Sequence, residues 1–141
     1  MKRRFFTVLV CLILTVLLAA AALTGCAKKK PVAVTPLLPS ELGTGETTFT
    51  FAVKNSKGET ASCQIHTDEE TVGDALQTLE LISGDESEYG LYVKTVCGET
   101  LDYDTNGMYW AFYVNGAYAD KGVDQTPIVE GTTYSLEAEK G

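Results

Sequence analysis

The side chains of this 141-residue chain that could support catalysis are few. The single histidine, His66, falls on the polar face of an alternating segment, where a lone histidine is more often a solvated surface residue than a base. Cys63 and Cys97 have no basic neighbour in sequence, and the chain has no nucleophile elbow, phosphate loop or dinucleotide fingerprint. We therefore predict that the protein is not an enzyme.

Metal ligation finds equally little support. One histidine and two widely spaced cysteines lack the close pairs typical of zinc sites. Asp102, Asp104 and Asn106 alternate as in a calcium loop, but the position that needs a bidentate glutamate is Tyr113. No metal site is predicted.

An aromatic stretch is the best candidate for binding. Residues 108–118 read MYWAFYVNGAY, in which alternate residues lie on opposite faces of a predicted strand. One face must build the core, and the other is either covered by the loop at 120–131 or forms an apolar wall for a planar ligand. The candidate ligand-binding residues are the five aromatic ones, Tyr109, Trp110, Phe112, Tyr113 and Tyr118.

The N-terminus has the pattern of an export signal. Three basic residues at positions 2–4 precede an apolar run at 5–23, and the sequence LTGC ends at Cys26. This order resembles the lipobox of bacterial lipoproteins, in which cleavage between Gly25 and Cys26 leaves a lipidated Cys26 as the mature N-terminus. An uncleaved transmembrane helix is the alternative, because the apolar run is long enough to span a bilayer. Both interpretations place the rest of the chain outside the cytoplasm, in the cell envelope.

The remainder divides into a tether and one small domain. Residues 26–46 are predicted to be a flexible tether, because lysines, prolines and glycines follow one another there without an apolar period. Residues 47–141 are predicted to form one domain, which is too short to contain a second.

Charge excludes some partners. From Gly45 onward, 18 acidic residues against five lysines give −13, which excludes nucleic acid and phosphate-binding surfaces. An acidic face could suit a cationic ligand, although solubility outside the cell is the simpler explanation.

The two cysteines of the domain leave two interpretations open. Cys63 and Cys97 can form a disulfide outside the cytoplasm, where the closed loop of ~35 residues would stabilise the fold by roughly 3–4 kcal/mol. Two separate buried thiols fit the sequence equally well, because it does not show whether the Cβ atoms approach.

The order of predicted elements indicates a fold class. Residues 47–53 and 60–66 alternate and predict a β-hairpin, and a helix is predicted from the N-cap Thr71 to a closing Gly84. Strands follow at 91–96, 108–114 and 133–138, with a tight turn at Asn115-Gly116. A hairpin, a helix and further strands predict an α+β, β-grasp-like fold, with a mixed sheet of about five strands and one helix on one face.

Three segments carry a family resemblance. TVGDALQTL, YWAFYVNG and KGVDQTPIVEGTTYSLEAE resemble the transcobalamin C-terminal-like domain of exported bacterial proteins, over residues 47–139. The aromatic motif ending at Asn115-Gly116 and the sequence Gly122-Val123-Asp124 are the most specific parts. Glu130-Gly131-Thr132 departs from the family's usual acid-glycine-acid turn.

This resemblance implies a β-grasp-like fold and binding of cobalamin or a related corrinoid. In the vitamin B12 carriers a large helical domain completes the site, and ~95 residues cannot contain it. We therefore predict a non-catalytic, membrane-anchored lipoprotein that binds a corrinoid or another planar ligand and passes it to a transporter. The alternative is a surface module that binds a protein partner or the cell wall and takes no small ligand.

Overall fold

The computed structural model describes residues 38–141. The predicted signal peptide, its cleavage site at Gly25 and the lipid site Cys26 lie outside the described residues. The described fold is mostly β, with 51% strand and 13% helix. Within this range no helix has the length and apolarity needed to span a membrane.

The strands form two sheets. In chain order they are β1 (Glu41–Gly43), β2 (Thr47–Lys54), β3 (Thr60–Thr67), β4 (Ile82–Ser87), β5 (Gly90–Val96), β6 (Glu99–Thr100), β7 (Met108–Val114), β8 (Ala117–Tyr118) and β9 (Thr133–Lys140). A six-stranded sheet has the order β1-β3-β2-β9-β7-β8, and a three-stranded sheet has the order β4-β5-β6. The larger sheet is mixed, because β1 runs parallel to β3, and β2 runs parallel to β9. The helices are α1 (Val72–Thr78), α2 (Tyr103–Asn106) and a 3-10 helix at Val123–Gln125.

The predicted α+β, β-grasp-like fold with one five-stranded sheet is wrong. The predicted helix was to run to Gly84, but α1 ends after seven residues and the chain enters β4 at Ile82. Glu80 adopts a left-handed conformation with φ 56°, and the amide of Leu81 bonds the carbonyl of Leu76 at 2.9 Å. These are the features of a Schellman cap, so Glu80 closes the helix where Gly84 was expected to. The freed segment pairs with β5 and builds the second sheet.

Other local predictions are confirmed. The hydroxyl oxygen of Thr71 accepts the amide of Asp74 at 3.1 Å, which is the predicted N-cap. β2 and β3 form the predicted hairpin, and Asn115-Gly116 turns the chain with φ values of 49° and 80°. The strand β1 was not predicted: it lies in the stretch assigned to the tether, so the folded part begins before residue 47.

The core lies on one face of the six-stranded sheet. Alternate residues of its central strands point to this inner face, including the fully buried Phe49, Phe51 and Tyr134. Helix α1 and the second sheet cover that face, and their apolar residues join the same cluster. The ring of Tyr134 packs edge-to-face on Phe49, with centroids 5.4 Å apart. The inner face also carries the two nearly buried aromatic side chains of β7, Trp110 and Phe112.

Candidate ligand-binding site

A cleft opens between β5, β7 and the segment 119–125, and we call it the first cleft. Its volume is about 550 Å³, within the range of small-molecule sites. Its apolar lining consists of Leu91, Val93, Trp110, Phe112, Val123 and Leu136. Its rim includes Glu88, Tyr89, Tyr118, Asp120 and Lys121. The cleft thus combines an apolar wall with a polar, aromatic rim.

Trp110 is the central wall residue. It is 7% exposed, and its indole Nε1 donates to the carbonyl of Lys94 at 3.0 Å, so it connects the two sheets. Trp110 also lines a second cleft of about 340 Å³, which opens beside Val53 and Cys97. Phe112 lies next on the same face and stacks on Tyr134, with centroids 6.2 Å apart and an interplanar angle of 17°. The inner face of β7 therefore builds the core and also forms the wall of the cleft.

The outer face of β7 has a different character. The hydroxyl groups of Tyr109 and Tyr113 both donate to the carboxylate of Glu139, Tyr109 at 3.5 Å. The hydrogen bond to Glu139 is the main cause that raises the pKa of Tyr113 to about 12, whereas burial is the main cause that raises the pKa of Tyr109. Tyr118 packs edge-to-face on Tyr113 at 5.5 Å and is 64% exposed. This face presents tyrosine hydroxyls tied to a carboxylate rather than an apolar wall.

The five predicted binding residues are therefore divided between two places. Trp110 and Phe112 line the first cleft from the inner face, and Tyr109 and Tyr113 lie on the outer face. Tyr118 packs on Tyr113 and also borders the cleft. From the sequence, one face of β7 was expected to build the core and the other face was the candidate binding wall. In the structure a single face serves both purposes, because the second sheet covers it only in part.

Sequence reasoning missed the contribution of the β4–β5 hairpin to the cleft. Residues 85–90 read as a polar connection, yet Tyr89 is at the rim and Leu91 and Val93 are in the wall. The side-chain amide of Gln125 donates to the carbonyl of Tyr89 at 3.3 Å, which ties this hairpin to the 3-10 helix. Tyr89, an aromatic residue in an otherwise polar turn and 80% exposed, was the one available signal.

Asp124 lies in the 3-10 helix, between the cleft-lining residues Val123 and Gln125. It belongs to the Gly122-Val123-Asp124 motif, and its Oδ1 is buried without a hydrogen-bond partner. A Cβ added to Gly90 would lie 2.7 Å from that oxygen, and one added to Gly73 would lie 2.7 Å from the Asp124 Cα. Two glycines therefore allow the 3-10 helix to pack closely against both α1 and the β4–β5 turn.

This packing predicts the effect of Gly90→Ala. Gly90 has φ +101°, so alanine adds left-handed strain to the clash with Asp124, and we expect a loss of more than about 1 kcal/mol in the free energy of unfolding. Gly58→Ala is the matched control, because Gly58 has φ +83° but open space around its Cβ position. Urea unfolding of both variants measures the difference. Equal losses would show that the contact with Asp124 adds nothing.

The other residues singled out from the sequence do not form a site together. His66 is partly buried and lies 3.3 Å from the hydroxyl of Thr48. Asp102 caps α2, because its carboxylate accepts hydrogen bonds from the amides of Asp104 and Thr105. The ammonium of Lys94 lies 3.2 Å from the same carboxylate and is the main cause that lowers the pKa of Asp102. Among residues 38–141 no group of three or more His, Cys, Asp or Glu side chains is placed to hold a metal ion. Asp102 therefore has a structural role as the N-cap of α2 and as a partner of Lys94.

Comparison with known proteins supports the fold. Residues 69–137 match the family model of DUF4430, a domain of unknown function. No curated protein sequence matches this chain. Among solved structures, a candidate metal-binding protein from Ruminococcus gnavus ATCC 29149 is 29% identical, with a TM-score of 0.65; the match covers 68% of this chain and 99% of that one. Haptocorrin in complex with Cbi is 13% identical, with a TM-score of 0.50.

The haptocorrin likeness concerns the fold alone. It covers 67% of this chain and 25% of haptocorrin, so this chain spans about a quarter of that protein. The predicted resemblance to transcobalamin-type domains is confirmed at the level of a transcobalamin-like fold. The metal association printed for the R. gnavus protein is a statement about that protein alone.

Proposed function

We propose that this chain is a non-catalytic, extracytoplasmic binding domain, held at the bacterial membrane by lipid on Cys26, and that its first cleft takes a planar ligand of the corrinoid class. The observation that carries the proposal is the cleft of about 550 Å³ with Trp110 and Phe112 in its wall. Aromatic rings offer large, rigid contact surfaces to a flat ligand, and the polar rim offers hydrogen bonds to its edge. The haptocorrin fold supports the corrinoid class over other planar compounds.

A single domain of this kind is expected to bind weakly. The first cleft is open on one side, and this chain spans about a quarter of haptocorrin. An open site leaves much of a large ligand in water, while the cost of immobilising the ligand remains. We therefore expect an affinity of roughly micromolar for the domain alone.

The predicted tether would make a micromolar affinity sufficient for passing the ligand to a transporter. From Cys26 to the start of β1 at Glu41, about 14 residues can reach at most roughly 50 Å. The domain therefore stays close to the membrane, where a short connection to a transporter raises the effective concentration of the bound ligand. Anchoring by acyl chains on Cys26 is part of this proposal and is checked by metabolic labelling of the full-length chain with a fatty acid.

The test is a calorimetric titration of residues 38–141 with cobinamide and, in parallel, with cyanocobalamin. This fragment contains the whole described core. The match covers 99% of the solved R. gnavus chain, so that protein has about the same length as this fragment. Trp110 is the single tryptophan of the chain, so its fluorescence reports on the cleft wall. Binding with quenching of Trp110 supports the proposal.

Two tyrosine variants locate the binding. Tyr89→Ala removes a rim side chain that is 80% exposed, so it should weaken binding several-fold without unfolding the domain. Tyr103→Ala is the control, since Tyr103 is 54% exposed and lies on α2, outside the first cleft. No heat and no quenching at high micromolar corrinoid would reject the small-ligand proposal. A protein partner, recovered by crosslinking at the membrane, would then be the function to test.

A further inference from the structure

We propose that Cys63 and Cys97 are joined by a disulfide in the exported protein, and that this bond fastens the β5–β6 turn of the second sheet to the six-stranded sheet. The proposal rests on the extracytoplasmic location proposed above and is independent of any ligand. The structure holds both residues as thiols, which is the reduced form of the pair.

The two cysteines belong to one cluster. Cys63 lies on β3 opposite Phe51, points to the inner face and is 4% exposed. Cys97 packs against the same apolar cluster and lines the second cleft together with Val53. Val53 pairs directly with Ala61, which lies two residues before Cys63 on the same face of β3. Cys97 is therefore placed over the part of β3 that carries Cys63.

Electrostatics agrees with this placement. Burial is the main cause that raises the pKa of Cys97 to about 11, and the charge of Cys63 raises it further. Burial likewise raises the pKa of Cys63. Two hydrogen bonds from Ser56 to the carboxylate of Glu99 also hold the β5–β6 turn beside the β2–β3 turn.

The backbone at Cys97 is the independent observation. Cys97 and Gly98 form a two-residue turn with φ values of 48° and 85°, and Val96 pairs with Glu99 across it. Positive φ at both positions favours Asn-Gly, and the β7–β8 turn of this chain uses Asn115-Gly116 with φ values of 49° and 80°. A cysteine lacks the side-chain amide that makes asparagine tolerant of this conformation. Its presence is explained if its sulfur, directed inward, makes a covalent bond.

The chemistry is a two-electron oxidation. The S–H bond of each cysteine breaks, one S–S bond forms, and two electrons and two protons pass to an extracytoplasmic disulfide oxidant, which becomes a dithiol. Thiolates are the attacking species, so the raised pKa values make the folded thiols slow to react. Oxidation is therefore expected before the second sheet closes over β3.

The bond would close a loop that contains α1, β4 and β5. For a loop of ~35 residues, the chain-entropy model gives an unfolding equilibrium constant smaller by a factor on the order of several hundred. The urea midpoint of the oxidised protein should therefore fall clearly when a reductant is added.

The experiment is refolding of residues 38–141, whose only cysteines are these two, in a mixture of oxidised and reduced glutathione. We expect a monomer with no titratable thiol in denaturant, a mass lower by about two hydrogens, and a urea midpoint that dithiothreitol lowers. Two free thiols per monomer after refolding, or only disulfide-linked dimers, would overturn the proposal. Neither outcome depends on corrinoid binding, so this test can fail or succeed independently of the titration.

Cys97→Asn is the matched variant. Asparagine suits the left-handed turn, so this variant should be at least as stable as the reduced wild-type protein and insensitive to dithiothreitol. Cys63→Ala removes the other sulfur and keeps the strained turn, so it should also lose its response to reductant. If dithiothreitol shifted the urea midpoint of the wild-type protein no more than that of Cys97→Asn, the result would count against a bond between these residues.

Discussion

Trp110→Ala is expected to lower the free energy of unfolding by about 3–5 kcal/mol, because a nearly buried indole is replaced by a cavity between the two sheets. The lost hydrogen bond contributes little of this, since the Lys94 carbonyl also accepts the amide of Leu101 at 2.8 Å and keeps a partner. Urea unfolding followed by far-ultraviolet circular dichroism measures the loss, because the variant has no tryptophan fluorescence. A loss below about 1 kcal/mol would contradict the buried position of the ring.

Trp110→Phe separates folding from binding. Phenylalanine keeps an apolar ring in the wall, so the fold should survive, while the smaller ring reduces stacking on a planar ligand. We expect corrinoid affinity to fall roughly tenfold by calorimetry. If Trp110→Phe bound the ligand as tightly as wild type, the wall of the first cleft would not be the contact surface. Tyr103→Ala serves again as the control for both measurements.

Tyr134 is expected to show the second large effect. It is 1% exposed and packs on Phe49 and Phe112, so Tyr134→Ala should cost about 3–5 kcal/mol. Its hydroxyl also accepts the amide of Val129 at 3.0 Å and donates to the carbonyl of Pro127 at 3.2 Å. The same side chain thus anchors the core and holds the loop before β9.

Tyr134→Phe separates these two roles. The ring stays, so the loss in stability should be only about 1 kcal/mol. The Val129 amide, however, loses its partner, and its hydrogen exchange should become faster than in wild type. Tyr118→Phe is the matched control, because Tyr118 is exposed and makes no contact with this loop through its hydroxyl among the described hydrogen bonds. An unchanged exchange rate at Val129 would show that Tyr134 does not hold the loop.

Local signals in the sequence predicted several elements correctly. Strict alternation identified the β2–β3 hairpin, Thr71 identified the start of α1, and Asn115-Gly116 identified the β7–β8 turn. Each of these depends on residues within a few positions of one another. A cap, a turn or an alternating strand is stable for reasons that short-range geometry contains.

The end of α1 and the second sheet were not predictable in the same way. Leu79 and Ile82 continue a helical spacing, so the pattern allows a longer helix. In the folded chain Glu80 takes a left-handed conformation and Ile82 pairs with Val96, which is 14 residues further along. The gain from that long-range pairing exceeds the local preference, and no short window of sequence contains it.

The candidate site shows the same division. The sequence identified the aromatic residues of β7 and their alternation, which follow from strand geometry. It did not show that Trp110 would meet the carbonyl of Lys94, or that Tyr89 would lie at the rim of the cleft. The types of side chain available are a property of the local sequence. Their meeting at one cleft depends on how two sheets pack, and that packing is decided by contacts between residues far apart in the chain.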